Sequence, residues 1–188
     1  MFNAITKDNF IAKEDCEYLI NFANQINSWE NGGTDFWKGR VLNYFTVINH
    51  DKKAAEILID ANIRCGNVIR NNYHVPEIYS DTLQIVRWFP GMEQPPHADD
   101  MTNTDILGFE HRAFGSIIYL NDDYEGGNTY YPNYDIRITP KSGTLAIHPG
   151  DPEHLHGVTK IEDGMRYTIA SFWTPYKNKS HEWRKENI

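Results

Sequence analysis

Arg87-Trp88-Phe89-Pro90-Gly91-Met92-Glu93-Gln94-Pro95-Pro96-His97-Ala98-Asp99 is the stretch on which the reading of this chain turns. Residues 83–89 carry the apolar and aromatic side chains of a strand, and Pro90-Gly91 turns it. The chain then runs on, extended, into His97-Ala98-Asp99. In an extended segment residues i and i+2 share a face. His97 and Asp99 therefore project together, an imidazole beside a carboxylate. With one further histidine they would form the facial triad that holds non-haem iron(II) and leaves coordination positions open.

The rest of the composition admits such a site and excludes others. A chain of 188 residues is expected to form one domain with a sizeable core. Hydrophobic residues make up 40% and charged residues 23%, as in ordinary globular proteins. Aromatics reach 13%, enough to cover sheet faces and line a cavity. The formal net charge of -8 argues against a nucleic-acid binder, whose affinity rests on neutralising phosphates. Cys16 and Cys65 fall in helical patterns and read as small buried residues. No secretion leader or membrane-length apolar run is visible, so the expected location is cytoplasmic, without membrane attachment.

Residues 2–10 suggest a short strand or lead-in. Residues 13–27 predict a helix, with Glu14 and Asp15 in its first turn and Leu19, Ile20, Phe22, Ala23 and Ile26 on one face. Asn31-Gly32-Gly33 predicts a loop, and β-branched residues 41–48 predict a strand. Residues 52–73 predict a second helix, stopped by Pro76. Both helices are expected to cover one face of a sheet. From residue 82 on, short apolar runs alternate with turns. The runs at 83–89, 114–120, 129–131, 136–139, 144–148, 155–159 and 166–173 fit a jelly roll. The polar loop 100–112 is a candidate lid, and the tail after Tyr176 predicts a short helix or a frayed end. The expected organisation is one domain over 1–188: helical support to about 80, a β core over about 81–176, then the tail.

An isolated His-x-Asp is a weak signal, so the third ligand decides. The dense histidine cluster is His154-Leu155-His156-Gly157-Val158, with His148 just before it. Either His154 or His156 could serve. Arg166 lies ten residues past His156, at the start of an apolar strand. A buried charge there needs an anionic partner, and the guanidinium fork matches a carboxylate. His148 and His111 read as structural or solvent-facing, and Arg112 as a surface salt bridge near a possible substrate entrance.

Six segments in order complete the pattern: His97-Ala98-Asp99, Ile117-Ile118-Tyr119-Leu120-Asn121-Asp122, Gly126-Gly127-Asn128-Thr129, Thr139-Pro140-Lys141-Ser142-Gly143, His156-Gly157-Val158 and Gly164-Met165-Arg166-Tyr167. Over about residues 82–174 the chain resembles the iron(II)- and 2-oxoglutarate-dependent dioxygenases of the prolyl 4-hydroxylase type. The resemblance implies an α+β, mainly β fold, a double-stranded β-helix (jelly roll, cupin-like) core with N-terminal helices packed on one face. It implies His97, Asp99 and His156 as ligands of Fe(II), which leaves His154 beside the site. It implies Arg166 and Tyr119 as partners of the distal carboxylate of 2-oxoglutarate. Trp88 stands where many members carry a tyrosine lining the cosubstrate pocket. That is a departure, because an indole can donate one N–H but accept none.

The implied activity is hydroxylation of an unactivated C–H, with succinate and CO2 as coproducts and ascorbate as an accompanying reductant. The implied substrate is a prolyl residue of a peptide or protein. Another amino-acid side chain or a small molecule is the alternative substrate. A non-catalytic jelly-roll binding module is an alternative of another class. A zinc hydrolase is a weaker one, since no general base accompanies the ligands.

Overall fold

Alternation along the long strands sets the architecture. The computed structural model describes residues 2–30, 35–101 and 108–180. In chain order it contains β1 (Ile5–Lys7), α1 (Lys13–Gln25), β2 (Val41–Asn43), α2 (Tyr44–His50), α3 (Lys52–Tyr73), β3 (Tyr79–Trp88) and β4 (Gln94–His97). There follow β5 (Phe114–Tyr119), β6 (Glu125–Gly126), β7 (Thr129–Tyr131), β8 (Ile136–Ile138), β9 (Leu145–Pro149), β10 (His156–Val158), β11 (Ile161–Asp163) and β12 (Arg166–Thr174). A six-stranded sheet runs β1-β9-β5-β12-β3-β2, and a four-stranded sheet runs β4-β10-β7-β8. A two-stranded ribbon, β11-β6, completes them. The fold is the mainly β jelly roll the sequence led one to expect.

The helices cover the outer face of the larger sheet. Cys16, Leu19 and Ala23 of α1 and Ala55, Leu58, Ala61, Cys65 and Ile69 of α3 recur at helical spacing and are buried. They join Leu83, Ile85, Ile118, Leu145, Ile147, Ile169 and Trp173 of the strands in one core. Leu58 and Ile69 are fully buried, so truncating either to alanine would cost about 2–5 kcal/mol. The Asp51 carboxylate starts α3 by accepting from the Ala54 N–H at 2.8 Å. His74, left-handed at φ 54°, ends it just before Pro76. No helix among the described residues is long and apolar enough to cross a membrane.

The same alternation turns the other side chains inward. On β9, Leu145 and Ile147 enter the helical core, so Ala146 and His148 point between the sheets. On β3, Leu83 and Ile85 face the helices, while Val86 and Trp88 pack with Val158 and Ile161 in a second, inner cluster. Arg166 opens β12 directly opposite Trp88.

Two expectations change. The strand read over 41–48 stops at Asn43, whose side chain accepts from the Thr46 N–H at 2.9 Å and starts α2. Burial of Tyr44 and Val47 then outweighs the β preference of Thr46, Val47 and Ile48. The ribbon of β6 and β11 adds two strands to the expected set. Of the tail, a 3-10 turn spans Lys177–Lys179. The loop Asn31-Gly32-Gly33, six residues of the candidate lid (102–107) and the rest of the tail lie outside the described residues.

Candidate active site

Strand pairing brings the proposed ligands together. β4 and β10 are antiparallel, with His156 directly opposite His97, and their rings stand 4.5 Å apart between centroids. Asp99 follows two residues after β4 and is buried. Asp99 Oδ1 lies 3.5 Å from His156 Nε2 and 3.8 Å from His97 Nε2. One donor atom from each of the three residues falls within 4.8 Å of the others, a group that could hold a metal ion.

Backbone carbonyls fix which nitrogen each histidine presents. His97 Nδ1 lies 3.2 Å from the Pro95 carbonyl and His156 Nδ1 lies 3.2 Å from the His154 carbonyl. A carbonyl only accepts, so both Nδ1 atoms carry the proton and both Nε2 atoms keep a lone pair. Burial, helped by His148, holds the His156 pKa well below the usual 6.5 and keeps the ring neutral. Burial alone would raise the Asp99 pKa. The surrounding His156, His148 and His97 outweigh it and hold the group well below the usual carboxylate range. Two imidazoles and one carboxylate are the donor set of the facial triad.

His148 is the surprise of the site. The sequence placed it as structural or solvent-facing, but it is almost fully buried. Its Nε2 donates to Asp99 Oδ2 at 3.0 Å, and its Nδ1 accepts from the Tyr131 hydroxyl at 2.9 Å. Burial raises the Tyr131 pKa strongly, so that hydroxyl stays a donor. Opposite His148 in the ladder stands Gly115. A Cβ there would sit 1.9 Å from Asp99 Oδ2 and 2.6 Å from His148 Nε2. The missing side chain is what lets imidazole and carboxylate meet. The only sequence signal for His148 was a polar residue on the inward face of an apolar strand.

The second pole is cationic. Arg166 is buried, with Tyr119, Thr129 and Trp88 buried around it. Arg166 Nη2 donates to Thr129 Oγ1 at 3.4 Å, and Tyr119 donates to the same oxygen at 2.7 Å. Burial raises the Tyr119 pKa against the pull of Arg166. Arg166 Nε has no hydrogen-bond partner. Trp88 lends its ring face, 5.4 Å from the Arg166 guanidinium. So Trp88 stands beside Arg166 by its ring face, where a tyrosine would bring a hydroxyl. Thr129 and Arg40, whose guanidinium stacks on Trp88 at 3.9 Å, were missed.

The remaining candidates lie elsewhere. His154 is buried, with Nδ1 2.8 Å from Asp151 Oδ1, and serves His156 through its carbonyl. His111 and Arg112 both turn to Asp81, at 3.5 and 2.7 Å. Arg112 also stacks on Phe172 at 3.8 Å and is only 14% exposed, so it is no surface pair.

Residues 83–174, the core that carries all of these groups except Arg40 and Asp81, match the 2OG-Fe(II) oxygenase superfamily. Over that core the chain is similar to that family. Among curated relatives of this chain, a candidate prolyl 4-hydroxylase of Acanthamoeba polyphaga mimivirus is 28% identical over 186 residues, 88% of this chain and 71% of that protein. The multifunctional procollagen lysine hydroxylase and glycosyltransferase of Rattus norvegicus is 35% identical over 95 residues. That match spans 48% of this chain but only 12% of the rat protein. Among solved structures, the viral collagen prolyl hydroxylase of Paramecium Bursaria Chlorella virus-1, in its 2OG complex, aligns at a TM-score of 0.73 and 18% identity. It covers 93% of this chain and 97% of the viral one, a likeness of fold.

Proposed function

We propose that this oxygenase hydroxylates a prolyl residue of a peptide or protein, with Fe(II) and 2-oxoglutarate. The observation that carries the reading is the gathering of one donor atom each from His97, Asp99 and His156 within 4.8 Å of one another, inside the same β core as the buried Arg166. The residues fit the two groups. The donor set suits iron(II), and the unpartnered Arg166 Nε offers a buried cation to a carboxylate. Bound there, iron(II) and 2-oxoglutarate would, with dioxygen as the oxidant, supply oxidative decarboxylation to succinate and CO2 coupled to C–H hydroxylation, one oxygen atom passing to the succinate and the other to the substrate.

The chain's own part is placement. His97, Asp99 and His156 would hold the metal on one face. Arg166, with Tyr119 and Thr129 behind it, would hold the far carboxylate. Trp88 would wall the pocket and exclude water from it. No general base is required. Ascorbate belongs to the reading as a reductant, and a cytoplasmic location as its setting. We take residues 1–188 as one domain because α1 and α3 share a core with the larger sheet.

The prolyl substrate is supported by the mimiviral relative and the viral structure, and a lysyl substrate by the rat one. A peptide panel containing proline or lysine, incubated with Fe(II), ascorbate and 2-oxoglutarate, separates the two by mass spectrometry. A gain of one oxygen on the proline peptides alone is the expected result. A gain confined to lysine peptides overturns the prolyl assignment. Absence of succinate with every peptide would favour the non-catalytic binding module instead.

A further inference from the structure

Arg40 and Arg166 are the two buried arginines among the described residues. The arginine ion pairs there belong to others, Arg64 with Asp60 and Arg112 with Asp81. Burying an ion costs several kcal/mol unless it is paired, so two buried, unpaired guanidiniums in one place call for an account.

A structural role explains part of Arg40. Its Nε donates to the Arg87 carbonyl at 3.2 Å and its Nη1 to the Phe36 carbonyl at 2.8 Å. Its guanidinium lies over Trp88 at 3.9 Å, Phe36 at 4.4 Å and Trp37 at 4.6 Å. These contacts leave Nη2 buried with no acceptor. They also leave the charge within reach of Arg166, which stacks on the same Trp88 ring. Burial, and then the charge of Arg166, lower the Arg40 pKa to about 10. The two cations repel, and an anion beside Trp88 would relieve both.

We propose that Arg40 is a second anchor for the distal carboxylate of the 2-oxo dicarboxylate cosubstrate, beside Arg166 and over the same indole. The assignment rests on the oxygenase reading and makes Arg40 a specificity residue. It raises the preference for a 2-oxo dicarboxylate over a 2-oxo monocarboxylate with the same chelating head. Arg87 N–H donates to the Arg40 carbonyl at 3.0 Å, extending the pairing of β2 with β3 and fixing the Arg40 backbone beside the Trp88 end of β3.

The test uses the full chain loaded with Mn(II) and titrated by calorimetry with 2-oxoglutarate and with 2-oxovalerate, which lacks the distal carboxylate. Arg40→Met should weaken 2-oxoglutarate about tenfold, the worth of one charge-assisted hydrogen bond. It should leave 2-oxovalerate and Mn(II) affinity unchanged, and Arg40→Lys should recover part of the loss. Equal weakening of both ligands means a merely structural role and overturns the proposal, as does no weakening at all. Should Arg40→Met fail to fold, Arg40→Lys decides alone, and wild-type selectivity in it overturns the proposal. Arg166→Met is the control for the pocket. If the wild type binds no 2-oxoglutarate, or Arg166→Met binds it normally, the oxygenase pocket itself is misread, and Arg40 with it.

Discussion

His148 Nε2 donates to Asp99 Oδ2 at 3.0 Å while Asp99 Oδ1 faces His97 and His156. One carboxylate oxygen is thus spent on orientation and the other is aimed at the proposed metal position. Tyr131 fixes the tautomer of His148 from behind. Such outer partners tune affinity through ligand orientation and basicity.

His148→Phe should therefore weaken divalent metal binding by about 10- to 100-fold, with the β-sheet circular dichroism retained. Calorimetric titration with Mn(II) reads the affinity. Wild-type affinity in this variant would show that Asp99 needs no such brace.

Gly115→Ala should be worse than its size suggests. The new methyl would collide with Asp99 Oδ2 and His148 Nε2 together, and neither has room to retreat in a buried site. A loss of about 1–3 kcal/mol in stability is expected from overpacking, along with loss of metal binding. Urea denaturation and a metal titration on the same sample check both.

Alanine at His97, Asp99 or His156 should remove metal binding and succinate production. Alanine at His154 should be milder, since its carbonyl, the group that meets His156 Nδ1, survives the substitution. A His154 variant more damaging than the His156 one would mean that the third ligand is misassigned.

Arg166→Gln should raise the 2-oxoglutarate concentration needed for half-maximal turnover far more than the Fe(II) concentration. Steady-state titration of each in turn measures the split. Equal shifts in the two would remove Arg166 from its carboxylate role.

Metal-free protein should lose stability on mild acidification. The folded-state pKa values of His156 and Asp99 are both depressed, so the unfolded chain binds more protons between the folded and unfolded values. Stability then rises with pH across that window. The His156 contribution is fully present above its ordinary value of 6.5 and is lost as pH falls below it. The Asp99 contribution follows below 3.8. Thermal melts between pH 8 and 5, run in about half-unit steps, should show a falling Tm in wild type. His156→Asn should flatten that slope, and an unchanged slope would assign it to other groups.

What the sequence disclosed and what it hid divide along a physical line. The bounds of α3 were readable because an Asp51 cap, apolar spacing and Pro76 all act locally. His97 and Asp99 were readable because their i, i+2 relation is a property of any extended segment. The helix at residues 44–50 was hidden because Asn43 overrides the β preference of its neighbours. His148 and Arg40 were hidden for another reason. Each becomes meaningful only through ladder pairing, His148 opposite Gly115 and Arg40 beside Arg87. No local pattern reports which distant strand lies alongside.

The pairing of His97 with His156 also bears on how the chain finds its fold. Both strands of that pair are short, and a slip of one residue would turn one imidazole to the opposite face. Only a correctly registered sheet presents two Nε2 atoms to one ion. Metal uptake would then proofread assembly: it would favour molecules whose smaller sheet has closed in register and pass over those trapped one step away.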